Sequence, residues 1–266
     1  PDCILLFRIG DFYEVFFEDA KICASVLDLI ITSKNKNSEN PIPMAGIPHH
    51  SIEKYIPRLI AKGYKVAIAE QMTDPVPWKI VERSIKSIIT PGTYIQENQR
   101  ELSTLLAITR SSEKSGTNYH LAWWDFTIGN YQTKTLSNLE QAQKLILSLR
   151  PTEIILDSDL TNKEEIIGPI QSYLNCLVSV YGVPFDPEHT ILTVCKVQQL
   201  ASFGKALTEW RASALALLFA YIQHTQQQVL KNVNTISYHA ADGLVLMDET
   251  TVKNLEIFSS SYENSS

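Results

Sequence analysis

The sequence predicts an α/β fold with two domains, followed by the beginning of a helical unit. Strand-like apolar runs alternate with segments of helical spacing over most of the chain, and a densely apolar helical stripe follows them. The 266 residues also exceed the usual length of one domain. We place the three units at 1–103, 104–200 and 201–266.

The first unit, 1–103, begins with a predicted strand, bend, strand and helix. An apolar run at 4–9 is interrupted by Gly10 and Asp11, aromatic and β-branched residues resume at 12–17, and 20–29 has helical spacing. The remaining predicted elements are a loop at 33–43, a helix at 51–61 that Gly63 ends, a strand at 65–70, a loop at 74–78, a strand at 80–90 and a turn at 90–93.

The second unit, 104–200, is predicted to start as an antiparallel meander and to continue with alternating helices and strands. The predicted strands are 103–110, 119–126, 131–136, 153–157 and 177–180, with a polar turn at 111–118, and the predicted helices are 139–149 and 163–174. Strands that come first and alternation that follows are typical of a mixed α/β domain.

The third unit, 201–266, is predicted to begin with a deeply buried helix. From Trp210 onward, apolar side chains share one helical stripe and the neighbouring positions are apolar as well. A hairpin-like stretch at 238–247 and a Ser-rich tail follow. We expect the packing partners of this helix to lie outside the chain, so that the unit is truncated.

Several classes of protein are disfavoured by composition. The longest apolar stretch, 214–222, is about half as long as a bilayer span requires, so no membrane segment is expected. The first residues do not resemble a secretory signal, and the start at Pro1 suggests that the front of a longer product is missing. Reduced thiols rather than a zinc site or disulfides are expected, because no Cys-x-x-Cys pair occurs among Cys3, Cys23, Cys176 and Cys195.

The charge distribution permits, but does not require, a nucleic-acid partner. A net charge of −6 and a pI near 5.6 argue against one when the chain is taken as a whole. The segment 34–100, however, contains ten Lys and Arg against six Asp and Glu, so it is locally basic. An ordinary solvated surface would explain so small an excess equally well.

The segment 10–14, Gly-Asp-Phe-Tyr-Glu, contains the main candidate for a binding site. An extended backbone points alternate side chains to opposite faces, so Phe12 and Glu14 are expected to emerge together while Tyr13 points away. An aromatic ring would then lie beside a carboxyl group. The alternative is that Phe12 packs in the core and Glu14 is a solvated edge residue.

The ordered motifs of the chain resemble those of the MutS family of DNA mismatch repair proteins. The segment 10–14, with Phe16 and Asp19-Ala20, is similar to the Phe-x-Glu recognition motif of that family. Supporting motifs are Pro-Met-Ala-Gly-Ile-Pro at 43–48, Val-Ala-Ile-Ala-Glu-Gln at 66–71, Val-Glu-Arg at 81–83 and Thr-Pro-Gly-Thr at 90–93. Weaker similarity at 121–125, 247–248 and 252–257 extends the resemblance over nearly the whole chain.

The resemblance implies a fold and a site. It implies a mixed-sheet mismatch-binding domain, a ribonuclease-H-like connector domain and the truncated start of an all-helical core domain. Phe12 would wedge into the minor groove and stack on a mispaired base, and Glu14 would hydrogen-bond the same base, as a donor if its carboxyl is protonated in the complex. Candidate phosphate contacts are Lys34, Lys36, Lys62, Lys65 and Arg83.

The resemblance also implies partners and cofactors. Double-stranded DNA with mispairs or small loops would be the ligand, and the full-length family forms homodimers, acts with a MutL-like protein and is cytoplasmic. ATP and Mg²⁺ belong to a C-terminal ATPase domain that this chain lacks, so the segment itself is expected to be a binding module without cofactors. The stretch 203–206 is not a Walker A site, because Gln199 and Ala206 replace the required Gly and Ser or Thr.

Two alternatives remain open at this point. The first is a MutS-like recombination protein without mismatch recognition, which the spacing of Phe12 and Glu14 disfavours. The second is a metal-dependent nuclease that uses carboxylates of the connector, and its candidate residues are Asp125, Asp157 and Asp159. His49 and His50, where the family commonly has Tyr before His, are expected to be structural first and close to DNA second.

Overall fold

The computed structural model describes the greater part of the chain. The described residues are 3–35, 40–72, 83–94, 104–114, 116–125, 130–160, 163–171, 173–174, 176–200, 203, 209–226 and 236–238. Within them, no helix is both long and apolar enough to cross a bilayer.

The first domain is a six-stranded mixed sheet with two helices. Its strands are β1 (Cys3–Ile9), β2 (Phe12–Phe16), β3 (Thr32–Lys34), β4 (Ile42–Pro48), β5 (Lys65–Gln71) and β6 (Arg83–Ile89), in the spatial order β3-β4-β2-β1-β5-β6. The helices are α1 (Phe17–Leu27) and α2 (Ile52–Ala61), and a short 3-10 helix, His49–Ser51, precedes the second.

One face of this sheet forms the core of the first domain. Alternate residues of β1 and β2, such as Leu6 and Val15, are fully buried against Cys23 of α1 and Leu59 of α2. The period-2 alternation of the strands and the apolar stripe of each helix bring these side chains together. The opposite face of the sheet, which carries Phe12, is consequently less buried.

The second domain is a second six-stranded sheet with helices on both faces. Its strands are β7 (Thr104–Glu113), β8 (Gly116–Asp125), β9 (Asn130–Leu136), β10 (Glu153–Asp157), β11 (Leu177–Tyr181) and β12 (Ile236–Tyr238), in the order β11-β10-β7-β8-β9-β12. The helices are α3 (Leu139–Leu149), α4 (Lys163–Gln171), α5 (Pro187–Cys195) and α6 (Glu209–Thr225). The predicted meander is confirmed, because β7, β8 and β9 pair antiparallel.

Helix α6 packs on the second sheet, and this corrects the expectation that its partners lie outside the chain. Leu215 and Phe219 are fully buried in one cluster with Leu105 of β7 and Ala122 of β8. A helix that is apolar on all sides is expected to be enclosed, and α6 has the second sheet on one side and α5 on another. The boundary near residue 200 stays a prediction, but α6 is part of the core of the second domain.

Several element predictions require correction. The loop predicted at 33–43 contains most of β3 and the start of β4, which pair with each other across a polar, Pro-containing sequence. The polar turn predicted at 111–118 is much shorter, because β7 and β8 continue into it. Helix α4 ends at Gln171, before the predicted end. The hairpin-like stretch at 238–247 lies outside the described residues, except for Tyr238 at the end of β12.

Helix α5 was not predicted at all, although its start has a recognisable signal. The side chain of Asp186 accepts a hydrogen bond from the His189 amide at 2.9 Å, and Pro187 occupies the first turn. An Asp-Pro pair also marks turns, so the local sequence alone is ambiguous.

Candidate nucleic-acid interface

Phe12 and Glu14 lie side by side on the less buried face of the first sheet. Strand β2 alternates as expected, with Tyr13 and Val15 in the core and Phe12 on the other side with 47% of its surface exposed. The alternative in which Phe12 packs in the core therefore does not hold. Opposite β2, Phe12 pairs with Pro48 and Glu14 pairs with Gly46 of β4.

The absence of a side chain at Gly46 keeps the neighbourhood of the Phe12 ring open. A Cβ atom built at Gly46 would lie 3.7 Å from Cδ1 of Phe12, which is van der Waals contact. Glycine thus leaves the space beside the ring uncovered, so that a planar ligand could approach it there.

The buried side of β2 is fastened by polar contacts that the sequence analysis did not identify. The Tyr13 hydroxyl donates to a carboxylate oxygen of Glu70 on β5, and the Arg8 guanidinium lies 5.6 Å from the centre of the Tyr13 ring. Burial, and then the bond to Glu70, raise the pKa of Tyr13 to about 12. Tyr13 is therefore a neutral donor under ordinary conditions. Because its side chain is anchored on the buried face, Phe12 and Glu14 on either side of it point to the opposite face.

The bend between β1 and β2 is connected to the end of β4. The His49 amide donates to the Asp11 carbonyl at 2.9 Å, and the His49 ring Nδ1 lies 3.4 Å from the same oxygen. Gly10 has a φ of 57°, a left-handed conformation that glycine adopts without strain. His49 thus has the structural role that was expected first, next to an exposed His50 whose ring centre is 5.8 Å away.

Among the described residues, the candidate phosphate contacts are spread over both ends of the first sheet and are not gathered around Phe12. Arg83 pairs with Gln71 at the end of the sheet that carries the β1–β2 bend, and its Nε donates to the Arg8 carbonyl at 3.1 Å. Lys65 pairs with Cys3 at the opposite end, roughly 20 Å away along the strands, and Lys62 precedes it closely.

Lys34 is also distant from Phe12. It pairs with Ile42 near one end of β4, whereas Phe12 pairs with Pro48 at the other end. Its Nζ lies 5.1 Å from the centre of the Phe16 ring. Lys36 lies outside the described residues. Of the five candidates, Arg83 is the one that the described strand register brings to the Phe12 end of the sheet.

Both domains match models of known protein families. Residues 1–98 match the model described as MutS domain I, and residues 103–234 match the model described as MutS domain II. The chain belongs to the MutS family. The match to MutS domain II extends through α6, in agreement with the packing of that helix on the second sheet.

Curated relatives carry the same family name. Each of the following is named DNA mismatch repair protein MutS: a protein of Streptococcus mutans serotype c, 33% identical over 97% of this chain; one of Lactococcus lactis subsp. cremoris strain MG1363, 36% identical over 99%; and one of Streptococcus gordonii, 36% identical over 96%. The chain spans 28%, 30% and 28% of their respective lengths.

A solved structure with weak similarity adds nothing to the fold assignment. A chain of a simian T-cell lymphotropic virus intasome in complex with PP2A regulatory subunit B56 gamma matches 46% of this chain and 49% of its own length at 19% identity. The TM-score of 0.23 is too low to indicate a shared fold.

The strand register separates the backbone positions of two candidate carboxylates of MutS domain II, Asp125 and Asp157. Asp125 pairs with Thr104, level with the start of β10, whereas Asp157 ends β10, roughly 16 Å further along the strand direction. Two-metal chemistry needs ligands around ions about 4 Å apart, so this register argues against the nuclease alternative. In the described part of the chain, no group of three or more His, Cys, Asp or Glu residues could hold a metal ion.

Proposed function

We propose that this segment recognises mispaired or unpaired bases in duplex DNA and so initiates mismatch repair. The observation that supports this most directly is the exposed Phe12 ring beside Glu14, on a strand whose alternate residues are anchored in the core. Membership of the MutS family and the name shared by its curated relatives support the same function.

Phe12 acts as the wedge in this proposal. Inserting an apolar ring between base steps costs a few kcal/mol of unstacking, and the cost is least where a mispair or an extra base has already weakened stacking. Discrimination therefore depends on the local deformability of the duplex and not on its sequence. A ring that is held outward by a fastened strand loses little freedom on insertion.

Glu14 completes the contact by hydrogen-bonding the base that Phe12 stacks on. The two side chains are two residues apart on one strand and share a face, so both can meet one nucleotide. A carboxyl group that donates to a ring nitrogen must be protonated, whereas a glutamine can donate at any pH. Glu14→Gln is thus the conservative variant for this role, and Glu14→Ala removes it.

Non-specific attraction to the phosphates is assigned first to Arg83, which lies at the Phe12 end of the sheet. For the complete protein we further infer an ATPase in a C-terminal domain that uses ATP and Mg²⁺, a homodimer and a MutL-like partner. We also infer that MutS domain II is a ribonuclease-H-like connector that passes the signal onward, and that a helical core domain follows it.

The test compares a duplex that has one unpaired thymine with its fully paired counterpart, at stated salt, in the complete protein. We expect the unpaired site to bind more tightly, and Phe12→Ala to reduce that preference at least tenfold while affinity for paired DNA stays within about threefold. Phe185→Ala, which removes a fully exposed ring in MutS domain II, is the matched control. Glu14→Gln should bind as the wild type does, and Glu14→Ala should not.

Equal binding of both duplexes by the wild type would contradict the proposal. It would favour a recombination-type relative without mismatch recognition. A loss of affinity for both duplexes in Phe12→Ala would instead assign Phe12 a role in folding or in general DNA binding.

A further inference from the structure

A buried carboxylate connects the two domains. Glu153, the first residue of β10, has no exposed surface, and each of its oxygens accepts two hydrogen bonds. Oε2 accepts from the Thr90 hydroxyl at 2.5 Å and from the Gly92 amide at 3.0 Å. Oε1 accepts from the hydroxyls of Ser179 and Tyr221, each at 2.5 Å. The acceptor capacity of the carboxylate is therefore filled.

The two oxygens face different parts of the molecule. Thr90 and Gly92 belong to the Thr-Pro-Gly-Thr segment that leaves β6, at the end of MutS domain I. Ser179 lies on β11 and Tyr221 on α6, both within MutS domain II. Glu153 thus joins the exit from the first sheet to two separate elements of the second domain.

The hydroxyl groups of Thr93 and Thr90 form a chain of hydrogen bonds that leads to Glu153. The Thr93 hydroxyl lies 2.9 Å from that of Thr90 and accepts from the Thr90 amide at 3.1 Å. Because the Thr90 hydroxyl donates its hydrogen to Glu153, the Thr93 hydroxyl donates to Thr90. Each of these two hydroxyl groups therefore acts both as a donor and as an acceptor. The side-chain amide of Gln226, directly after α6, donates to the Thr93 carbonyl at 2.5 Å and adds a third hydrogen bond between the domains.

Because Glu153 is buried, the loss of any of these hydrogen bonds would leave its carboxylate poorly solvated. The four donors to Glu153 are uncharged, so the carboxylate depends on all of them for the solvation that it has lost. Burial and the proximity of Glu153 raise the pKa of Tyr221, which keeps its hydroxyl a donor. A single rotation between the domains would separate one oxygen from its donors while the other kept them, so intermediate orientations are disfavoured.

We propose that Glu153 is a positioning residue that couples MutS domain I rigidly to MutS domain II, so that mispair binding at Phe12 alters the second domain. This inference rests on the proposed function, because the change to be transmitted begins at the mispair. A kinked duplex exerts a restoring force on Phe12. A first sheet that has one fixed orientation relative to the second domain transmits this force to β10, β11 and α6.

The test measures hydrogen exchange of backbone amides in the complete protein, with paired duplex and with duplex that has one unpaired thymine. In the wild type, the unpaired site should change exchange in β11 and α6 at least threefold relative to paired DNA. Glu153→Leu, similar in size but without an acceptor, should lose this difference and speed exchange of the Gly92 amide at least tenfold. Its preference for the unpaired site should stay within about threefold of the wild type.

Conservative variants separate coupling from a general loss of packing. Glu153→Gln keeps one oxygen that accepts from the Gly92 amide. The hydroxyls of Ser179 and Tyr221 can rotate to accept from the NH₂ group of its side-chain amide. This variant should therefore retain at least part of the transmission. Tyr221→Phe removes one donor and should weaken transmission. Tyr181→Phe is the matched control, because that ring contacts Tyr221 at 5.6 Å between centres without taking part in the bonds to Glu153.

The outcomes are distinguishable. Transmission at the wild-type level in Glu153→Leu would overturn the inference, as would a wild type that prefers the unpaired site without any change in β11 or α6. If Glu153→Leu does not fold, normal transmission in Tyr221→Phe together with normal exchange at Gly92 would overturn it as well. A wild type without preference for the unpaired site would instead contradict the proposed function, and the inference with it.

Discussion

Phe12 and Leu6 lie on neighbouring strands of the first sheet but on opposite faces. Leu6 is fully enclosed in the core, whereas nearly half of Phe12 is exposed, although phenylalanine is the larger residue. The fold thus leaves a large ring partly outside the core, although full burial of such a side chain would be favourable by about 1.5–3 kcal/mol. Such a side chain is available for binding and contributes little to stability.

This difference predicts unequal effects of truncation. Leu6→Ala should lower the free energy of unfolding by about 2–5 kcal/mol, since it removes buried methyl groups and leaves a cavity. Phe12→Ala should lower it by less than about 1 kcal/mol. Urea unfolding of both variants measures the two values, and equal losses would show that Phe12 is part of the core after all.

The segment 90–94, directly after β6, lies where the two domains meet. Gly92 lies in it so close to β7 and β10 that a Cβ atom would come within 2.6 Å of both Leu105 Cδ1 and Glu153 Cβ. Real Cβ atoms do not approach other atoms so closely, and neither neighbour can move aside freely, because Glu153 Cβ is bonded to the backbone and Leu105 is fully buried. The glycine is therefore required by packing and not by a left-handed backbone.

Gly92→Ala should consequently destabilise the protein by about 1–3 kcal/mol, because the added methyl group overpacks a filled site. The matched control is Gly168→Ala in α4, where nothing lies within 4 Å of the added atom. The free energy of unfolding of the Gly168→Ala variant should change by less than about 1 kcal/mol. Alanine favours the helix, but the following Pro169 disfavours a helical conformation at residue 168. Thermal unfolding measures both, and similar effects would contradict the packing argument.

The charge of the whole molecule opposes DNA binding, so the position of each cation matters. At a net charge of −6, long-range attraction to a duplex has to come from a local surface. The strand register separates the candidate cations between the two ends of the first sheet, with Arg83 at the Phe12 end and Lys65 at the other. A duplex docked on Phe12 would therefore contact them unequally.

Arg83→Gln should weaken binding of paired and unpaired-thymine duplexes to the same degree. It should also reduce the slope of log affinity against log salt by about 1, as expected for the loss of one phosphate contact. Lys65→Gln should leave the slope unchanged. Titrations from low to physiological salt measure this, with melting temperatures as a check because the Arg83 guanidinium also bonds the Arg8 carbonyl. Identical slopes for both variants would contradict the docking orientation.

Some properties of the protein were determined by its sequence alone. The bounds predicted for α3 and β10 agree with the structure, and the side chains of β2 alternate as expected. These properties depend on local periodicity, on a capping residue such as Asn138 and on the pleat of an extended chain. The ordered motifs likewise indicated the MutS family before any fold was known, since they consist of neighbouring residues.

Other properties were decided only by tertiary structure. The pairing of β3 with β4, the enclosure of α6, the separation of Arg83 from Lys65 and the four bonds to Glu153 each depend on partners that are distant along the chain. Thr90 and Tyr221, for example, meet at Glu153 from positions 63 and 68 residues away. No local pattern specifies such a meeting, because the hydrogen-bond partners of a buried carboxylate are chosen by the packing of whole elements.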